Sequence, residues 1–178
     1  KRNPGKLNYA STGASGAYTI SAEHFKALTD TNIQHIVYKG LAPAMTAVVS
    51  GEVDLTFTSL TVAIPQAKAG KIRILGVLEG KRYSAMPNVP TAAESGVPEF
   101  QIKGPFEGVL GPRGMPKEIV ARLHDEIRKA IDAPQLKAFF AGAGWEGDLR
   151  GPEAFQQFLN AEVERYGRIS RAANIKSE

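Results

Sequence analysis

Over its first 80 residues the chain alternates four times between a strand-like run and a helical run, with short turns between them. That rhythm implies a parallel sheet, because parallel neighbours need a crossover and a helix is the usual one. Leu7-Asn8-Tyr9-Ala10 is the first strand, and Ser11 to Gly16 a loop of small residues. A helix runs to about Leu28, with Ala17, Ile20, Phe25 and Leu28 near helical spacing. His35-Ile36-Val37-Tyr38 is the next strand, followed by a helix over about Pro43 to Val49 that Gly51 terminates. Val53 to Thr58 is a third strand, before a short helix to Ala69 and another terminating glycine, Gly70. Ile72 to Leu78 is expected to be the fourth and most apolar strand. The sheet of residues 7–103 should therefore hold four to five strands, largely parallel.

From residue 79 to 104 the pattern breaks. Pro87, Pro90 and Pro98, with Gly96 and Gly104, interrupt every long period and leave a short helix at Thr91 to Ser95. This stretch reads as a crossover between two lobes, with a hinge near 101–106. Phe106 to Leu110 follows as a strand. Pro116 stands where a first helical residue should, and Ile119, Val120, Leu123, Ile127, Ala130 and Ile131 make one apolar stripe. A second helix follows Pro134. A third, from Pro152 to about Ala173, carries Phe155, Phe158, Leu159, Val163, Tyr166 and Ile169 on one side. Three striped helices cannot bury themselves on so little sheet, so another segment is expected to complete this part.

Composition narrows the class of function. With 43% hydrophobic and 22% charged residues, the 178-residue chain is that of an ordinary globular protein. No apolar run approaches the ~20 residues of a membrane-spanning helix. The net charge is +4, but the basic residues are scattered, without the Lys/Arg run of a nucleic-acid arm. The absence of cysteine excludes disulfides, thiol nucleophiles and cysteine-held metals. His24, His35 and His124 fall on separate elements, so neither a metal site nor a triad is expected, and no cofactor.

What remains is a binding edge. Ser11, Thr12, Gly13, Ala14, Ser15 and Gly16 join a strand to a helix, where backbone N–H groups lack intrahelical partners and the dipole favours an anion. A plain tight turn with a serine N-cap is the alternative. Two sharper readings fail: Ala17 and Thr19 stand where a dinucleotide fingerprint needs glycines, and Ala17 replaces the last glycine of a nucleophile elbow. Tyr38 and Lys39 end the second strand and Thr58 and Ser59 the third, so both pairs belong to the same carboxyl edge, where open parallel sheets bind ligands. Asp54, within the third strand, reads as a structural carboxylate. Hydroxyls and free N–H groups without an acid–base pair describe a binding site better than a catalytic one.

Several stretches together resemble one family. They are Asn3-Pro4-Gly5-Lys6-Leu7, Tyr9-Ala10-Ser11 with Gly13, Tyr38-Lys39-Gly40 with Pro43-Ala44, and Gly51-x-Val53-Asp54-Leu55 with Phe57. Pro65, Lys68 to Lys71, Lys81-Arg82, the loop Met86 to Thr91 with Glu94, Gly96 and Pro98, then Gly108, Pro112 and Pro116 continue the match. The chain resembles the extracytoplasmic solute-binding receptors of the tripartite tricarboxylate transporter family, the Bug proteins. The resemblance implies a type II periplasmic-binding-protein-like α/β fold. Residues 1–103 would form the ligand-binding lobe, the second of the family, and residues 104–178 the C-terminal part of the first lobe. A segment that precedes Asn3 in the family would be missing, so the chain is expected to self-associate, swap segments or bind weakly.

The resemblance further implies a periplasmic, non-enzymatic receptor that captures a small carboxylate and delivers it to the membrane components of a tripartite transporter. Ser11 to Gly16, Tyr38, Lys39, Thr58 and Ser59 would hold the ligand. Three departures stand out: Gly13-Ala14-Ser15-Gly16 where relatives continue Gly-x-Gly-(Ser/Thr), Thr19 where they often have histidine, and Phe106 where they have tryptophan. Thr58 also replaces an aspartate of many relatives, so a plain mono- or dicarboxylate is expected over an amino acid. Rival readings are a cytosolic sensor, since LysR-type effector domains share the architecture, and an enzyme using the serine loop.

Overall fold

The computed structural model describes residues 4–13, 16–84, 86–102, 106, 108–142, 149–173 and 175. The chain divides into two compact units: residues 1–105 with 166–178, and residues 106–165.

The first unit is built on β1 (Leu7–Ser11), α1 (Ala17–Thr29), β2 (Ile33–Val37), α2 (Leu41–Ser50), β3 (Leu55–Thr56) and α3 (Leu60–Lys68). Among the described residues the sheet has three strands in the order β2-β1-β3, both pairings parallel. Tyr9 lies opposite His35 on one side and Leu55 on the other. The mixed α/β class with a parallel sheet is as expected; the number of strands is not. Residues 72–78 form no strand and make a single parallel bridge, Val77 with Thr91. The reason is the partner. Val77 donates to the Pro90 carbonyl (3.0 Å) and accepts the Ala92 N–H (2.8 Å), but Pro90 has no N–H to offer the carbonyl of residue 75, so the ladder cannot extend in that direction.

Alternation along β1 assigns the two faces. Tyr9 packs with Ala22 and Ile33, against Phe25, Leu55 and Phe57. Ala10 packs with Ala44, Ala47 and Val53, against Ile36, Tyr38 and Val48. Tyr9, Ala10 and Ser11 are all buried, as a central strand covered on both faces requires. Phe100 closes the Tyr9 side, its ring 5.3 Å from Phe25 and 6.0 Å from Phe57. Gly51 ends α2 in the left-handed region at φ 76°, where its N–H reaches back to Ala47 and Val48 carbonyls.

The expected helix at 91–95 is instead a turn locked by a capping box. Thr91 N–H donates to Glu94 Oε2 (2.7 Å) and Glu94 N–H to Thr91 Oγ1 (3.1 Å). Arg82 then grips Glu94 through Nε (2.9 Å) and the Pro87 carbonyl through Nη1 (2.8 Å).

The second unit holds α4 (Lys117–Asp132), α5 (Pro134–Gly142) and α6 (Pro152–Ala172) as far as residue 165. Pro116 is the N-cap of α4 rather than its first residue. The expected strand at 106–110 is absent among its described residues, and Val109 and Leu110 are exposed. Phe106 packs edge-on against Phe155 and Phe158, and the Arg150 guanidinium lies 4.1 Å from the Phe158 ring centre. No residue of α4 or α5 is buried, and Ile119 and Leu123 on the α4 stripe are nearly half exposed. No helix among the described residues is long and apolar enough to cross a membrane.

Candidate functional site

Each strand of the sheet runs directly into a helix, so α1, α2 and α3 all begin at the carboxyl edge. The strand order places the loop after β1 between the loops after β2 and β3. The chain leaves β1 toward β2 and then crosses to the opposite side for β3. The direction of winding therefore reverses between β1 and β3, and a crevice opens where connections diverge like this. Ser11, Thr12, Gly13 and Gly16, after β1, and residues 57–59, after β3, flank that point.

In the first loop, Ser11 is buried and fully engaged. Its hydroxyl donates to the Gly13 carbonyl (3.0 Å) and meets His35 Nε2, while its carbonyl accepts the Tyr38 N–H (2.8 Å). Buried Thr19 donates its own hydroxyl to the same Gly13 carbonyl (2.6 Å). The N-cap of α1 is Gly16, extended at φ −68° and ψ 159°, with no side chain capping it. The serine-cap alternative therefore does not hold. The first helical bond runs from Ile20 N–H to Gly16 C=O (2.9 Å), leaving the earlier N–H groups without carbonyls inside the helix. A Cβ added at Gly13 would meet nothing within 4 Å beyond its chain neighbours. Thr12 is half-buried beside it. Ala14 and Ser15 lie outside the described residues.

Tyr38 turns toward α2, packing on the Ala10 cluster with its hydroxyl donated to Glu52 Oε1 (2.8 Å). That bond pushes its phenol pKa up, with burial adding to it. Lys39 is exposed. Gly40 follows as the N-cap of α2 at φ 122°, a conformation that L side chains rarely adopt. On the switch-point side, Ser59 is the N-cap of α3, its carbonyl taking the Ala63 N–H (3.1 Å), without a side-chain cap bond. Thr58 Oγ1 is buried and has no hydrogen-bond partner. A buried hydroxyl left without a partner costs ~1–3 kcal/mol, which makes it the unusual group of this edge.

The structure also brings in a residue that the sequence reading set apart. His35 stacks flat on Tyr9, ring centres 4.7 Å apart and planes within 2°. Burial lowers its pKa; Glu23 opposes the shift and Lys26 reinforces it. Tyr9 in turn donates to Glu23 Oε1 (2.6 Å), which pairs with Lys26 (2.8 Å), and burial is the main cause of a raised Tyr9 pKa. Ser11 and His35 do not make a nucleophile and base. Ser11 is 2% exposed, and its hydroxyl is within hydrogen-bond reach of the Gly13 carbonyl as well as of the imidazole. His24 packs against Phe100, and His124 lies 3.6 Å from Asp125 on α4. Asp54 sits at the opposite, amino edge, bonded to the backbone of Asn8 (2.8 Å). No group of three His, Asp or Glu side chains among the described residues is placed to hold a metal ion.

The family model described as tripartite tricarboxylate transporter family receptor, TctC, matches residues 1–175. The chain belongs to this family. Its members are receptors, not enzymes. A UPF0065 protein encoded in the tcbD-tcbE intergenic region of Pseudomonas sp. strain P51 is 33% identical over 170 residues, 95% of this chain and 50% of that protein. Among solved structures, Rpa4515 of R. palustris with adipate superposes with a TM-score of 0.89 at 30% identity, over 98% of this chain and 58% of its own. The periplasmic binding protein BugD gives 0.88 at 27% identity, over 99% and 60%. The chain thus spans about half the length of the curated relatives it matches.

Proposed function

We propose that the chain carries the ligand-binding lobe of a periplasmic solute receptor, at residues 1–103, with residues 104–178 forming the C-terminal part of the other lobe. The receptor captures a small carboxylate and hands it to the membrane components of a tripartite transporter. One observation carries the reading: three helix N-termini meet at the carboxyl edge, around the switch point between β1 and β3. Helix starts present N–H donors and positive dipole ends to an anion. Family membership and the adipate named with the Rpa4515 structure agree with a carboxylate.

In this reading the solute lies on the loop of Ser11, Thr12, Gly13 and Gly16, with Ala14 and Ser15 completing it. Thr58 and Ser59 face it across the crevice, and Tyr38 and Lys39 border it. Lys39 supplies charge at the rim, while the engaged hydroxyl of Tyr38 leaves its ring edge to do the bordering. Because Thr58 is neutral, a plain mono- or dicarboxylate is preferred over an amino acid.

Calorimetry on the complete gene product, with adipate and glutamate as probes, tests this. Adipate should bind and glutamate should not. Gly13→Val should weaken adipate at least tenfold with little change in the melting temperature, since a Cβ at this position has open space around it. Failure of the complete protein to bind adipate or any other small carboxylate would overturn the reading.

A further inference from the structure

We infer that His35 is a positioning residue for the solute site, holding the β1–α1 loop in shape through Ser11, whose hydroxyl is a strut rather than a ligand contact. The inference rests on the reading of that loop as the carboxylate site. It begins with proton counting. A serine hydroxyl has one proton to give and two lone pairs to offer. Ser11 gives its proton to the Gly13 carbonyl (3.0 Å), so its contact with His35 Nε2 needs the proton to come from the imidazole. His35 is then the Nε2–H tautomer, with Nδ1 bare. Burial keeps the ring below its ordinary pKa of 6.5, so this neutral form prevails near neutral pH.

The ring itself is held on the far side. His35 lies opposite Tyr9 in the β1–β2 register and stacks on its phenol. Tyr9 is tied to α1 by Glu23, and Lys26 Nζ stands 5.8 Å from the Tyr9 ring centre. Tyr9, Ser11, Glu23 and Lys26 are, among the described residues, polar and charged groups that act on the imidazole. A line of donors thus runs from His35 to Ser11 to the Gly13 carbonyl, which Thr19 grips from the other side (2.6 Å). Two hydroxyls converging on one carbonyl fix the direction of the peptide that turns the chain toward α1. Pre-set donors are what an anion site needs, because the ordering is then not charged against binding.

The test uses the complete gene product, adipate calorimetry and hydrogen exchange over the segment 9–20. His35→Phe keeps a ring on Tyr9 and removes the donor. It should speed exchange at Thr12 and Gly13 and weaken adipate about five- to tenfold, the worth of one buried hydrogen bond. His35→Gln, whose side-chain amide can donate in place of Nε2–H, should recover most of both. Ser11→Ala should match His35→Phe, and the double variant should be no worse than either. Should His35→Phe fail to fold, Ser11→Ala against His35→Gln decides. Wild-type exchange and affinity in His35→Phe, or fully additive losses in the double variant, would overturn the inference. If the wild type binds no carboxylate while loop exchange still responds to His35→Phe, the positioning role stands and the ligand reading falls.

Discussion

Asn8 and Asp54 each hold the other's backbone: Asn8 N–H donates to Asp54 Oδ2 (2.8 Å), and Asp54 N–H donates to Asn8 Oδ1 (2.9 Å). The pair sits one residue before Tyr9 and Leu55 in the β1–β3 register, so side chains extend a ladder whose second strand is two residues long. Removing either side chain breaks one bond and leaves the other without its geometry. Asn8→Ala and Asp54→Ala should each cost ~1 kcal/mol, and the double variant about the same as either. Urea unfolding of the four-protein cycle measures this; strictly additive losses would mean the two bonds are independent.

Thr58→Val should stabilise the free protein slightly. Its Oγ1 is buried without a partner, and valine fills nearly the same volume without a group to leave unsatisfied. A gain of up to ~1 kcal/mol in thermal unfolding is expected, together with weaker adipate binding if the hydroxyl serves the solute. Loss of stability would show that Thr58 has a partner in solution.

Glu94 gives the acid limb of the stability profile a local signature. Its carboxyl falls from 4.5 to about 2, chiefly through the Arg82 bond and then the Thr91 N–H. A folded-state value below the unfolded one means the contribution is present above about 4.5 and lost as pH drops toward 2. Glu94→Gln should therefore lower stability at pH 7 and make no difference once the wild-type carboxyl is protonated. Melting curves of both proteins across that range should converge at the acid end; a constant offset would place the effect in packing instead of charge.

Phe100→Ala should be among the most damaging single changes, at ~3–5 kcal/mol. The ring is 2% exposed and touches Phe25, Phe57 and His24, which line the outer side of the Tyr9 cluster. Phe100→Leu, which keeps most of the apolar volume, should cost far less. Chemical denaturation separates the two, and equal losses would tie the effect to the aromatic contacts themselves.

The elements of the first unit were legible because their signals are local. The apolar period placed α1 and α2, and Gly51 marked where α2 stops. Pairing is not local, and there the reading failed. Ile72 to Leu78 has the composition of a central strand, yet the segment that meets it contains Pro90. Thr91-x-x-Glu94 carried a capping signature in plain view, but nothing within those four residues says that Arg82 will claim the same carboxylate. The candidate site was legible as an edge, since strand ends and helix starts fix it. Which hydroxyls remain available there was not: the Ser11 hydroxyl is taken by Gly13 and that of Tyr38 by Glu52. His35 was missed for the same reason. Its approach to Ser11 depends on the β1–β2 register, although alternation does put Tyr9, Ser11 and His35 on one face.

The order β2-β1-β3 also sets a sequence of events. β1 is made first and occupies the centre, but its second neighbour, at Leu55, comes only after α1, β2 and α2 have been synthesised. Closing the shorter β1–β2 loop costs less chain entropy than closing the loop to β3. Folding should then nucleate on the β2 side, giving higher φ-values at Ile33 than at Leu55; the reverse ranking would refute that order. Since the switch point lies between β1 and β3, the edge that we propose holds the solute is incomplete in the nascent chain until β3 docks.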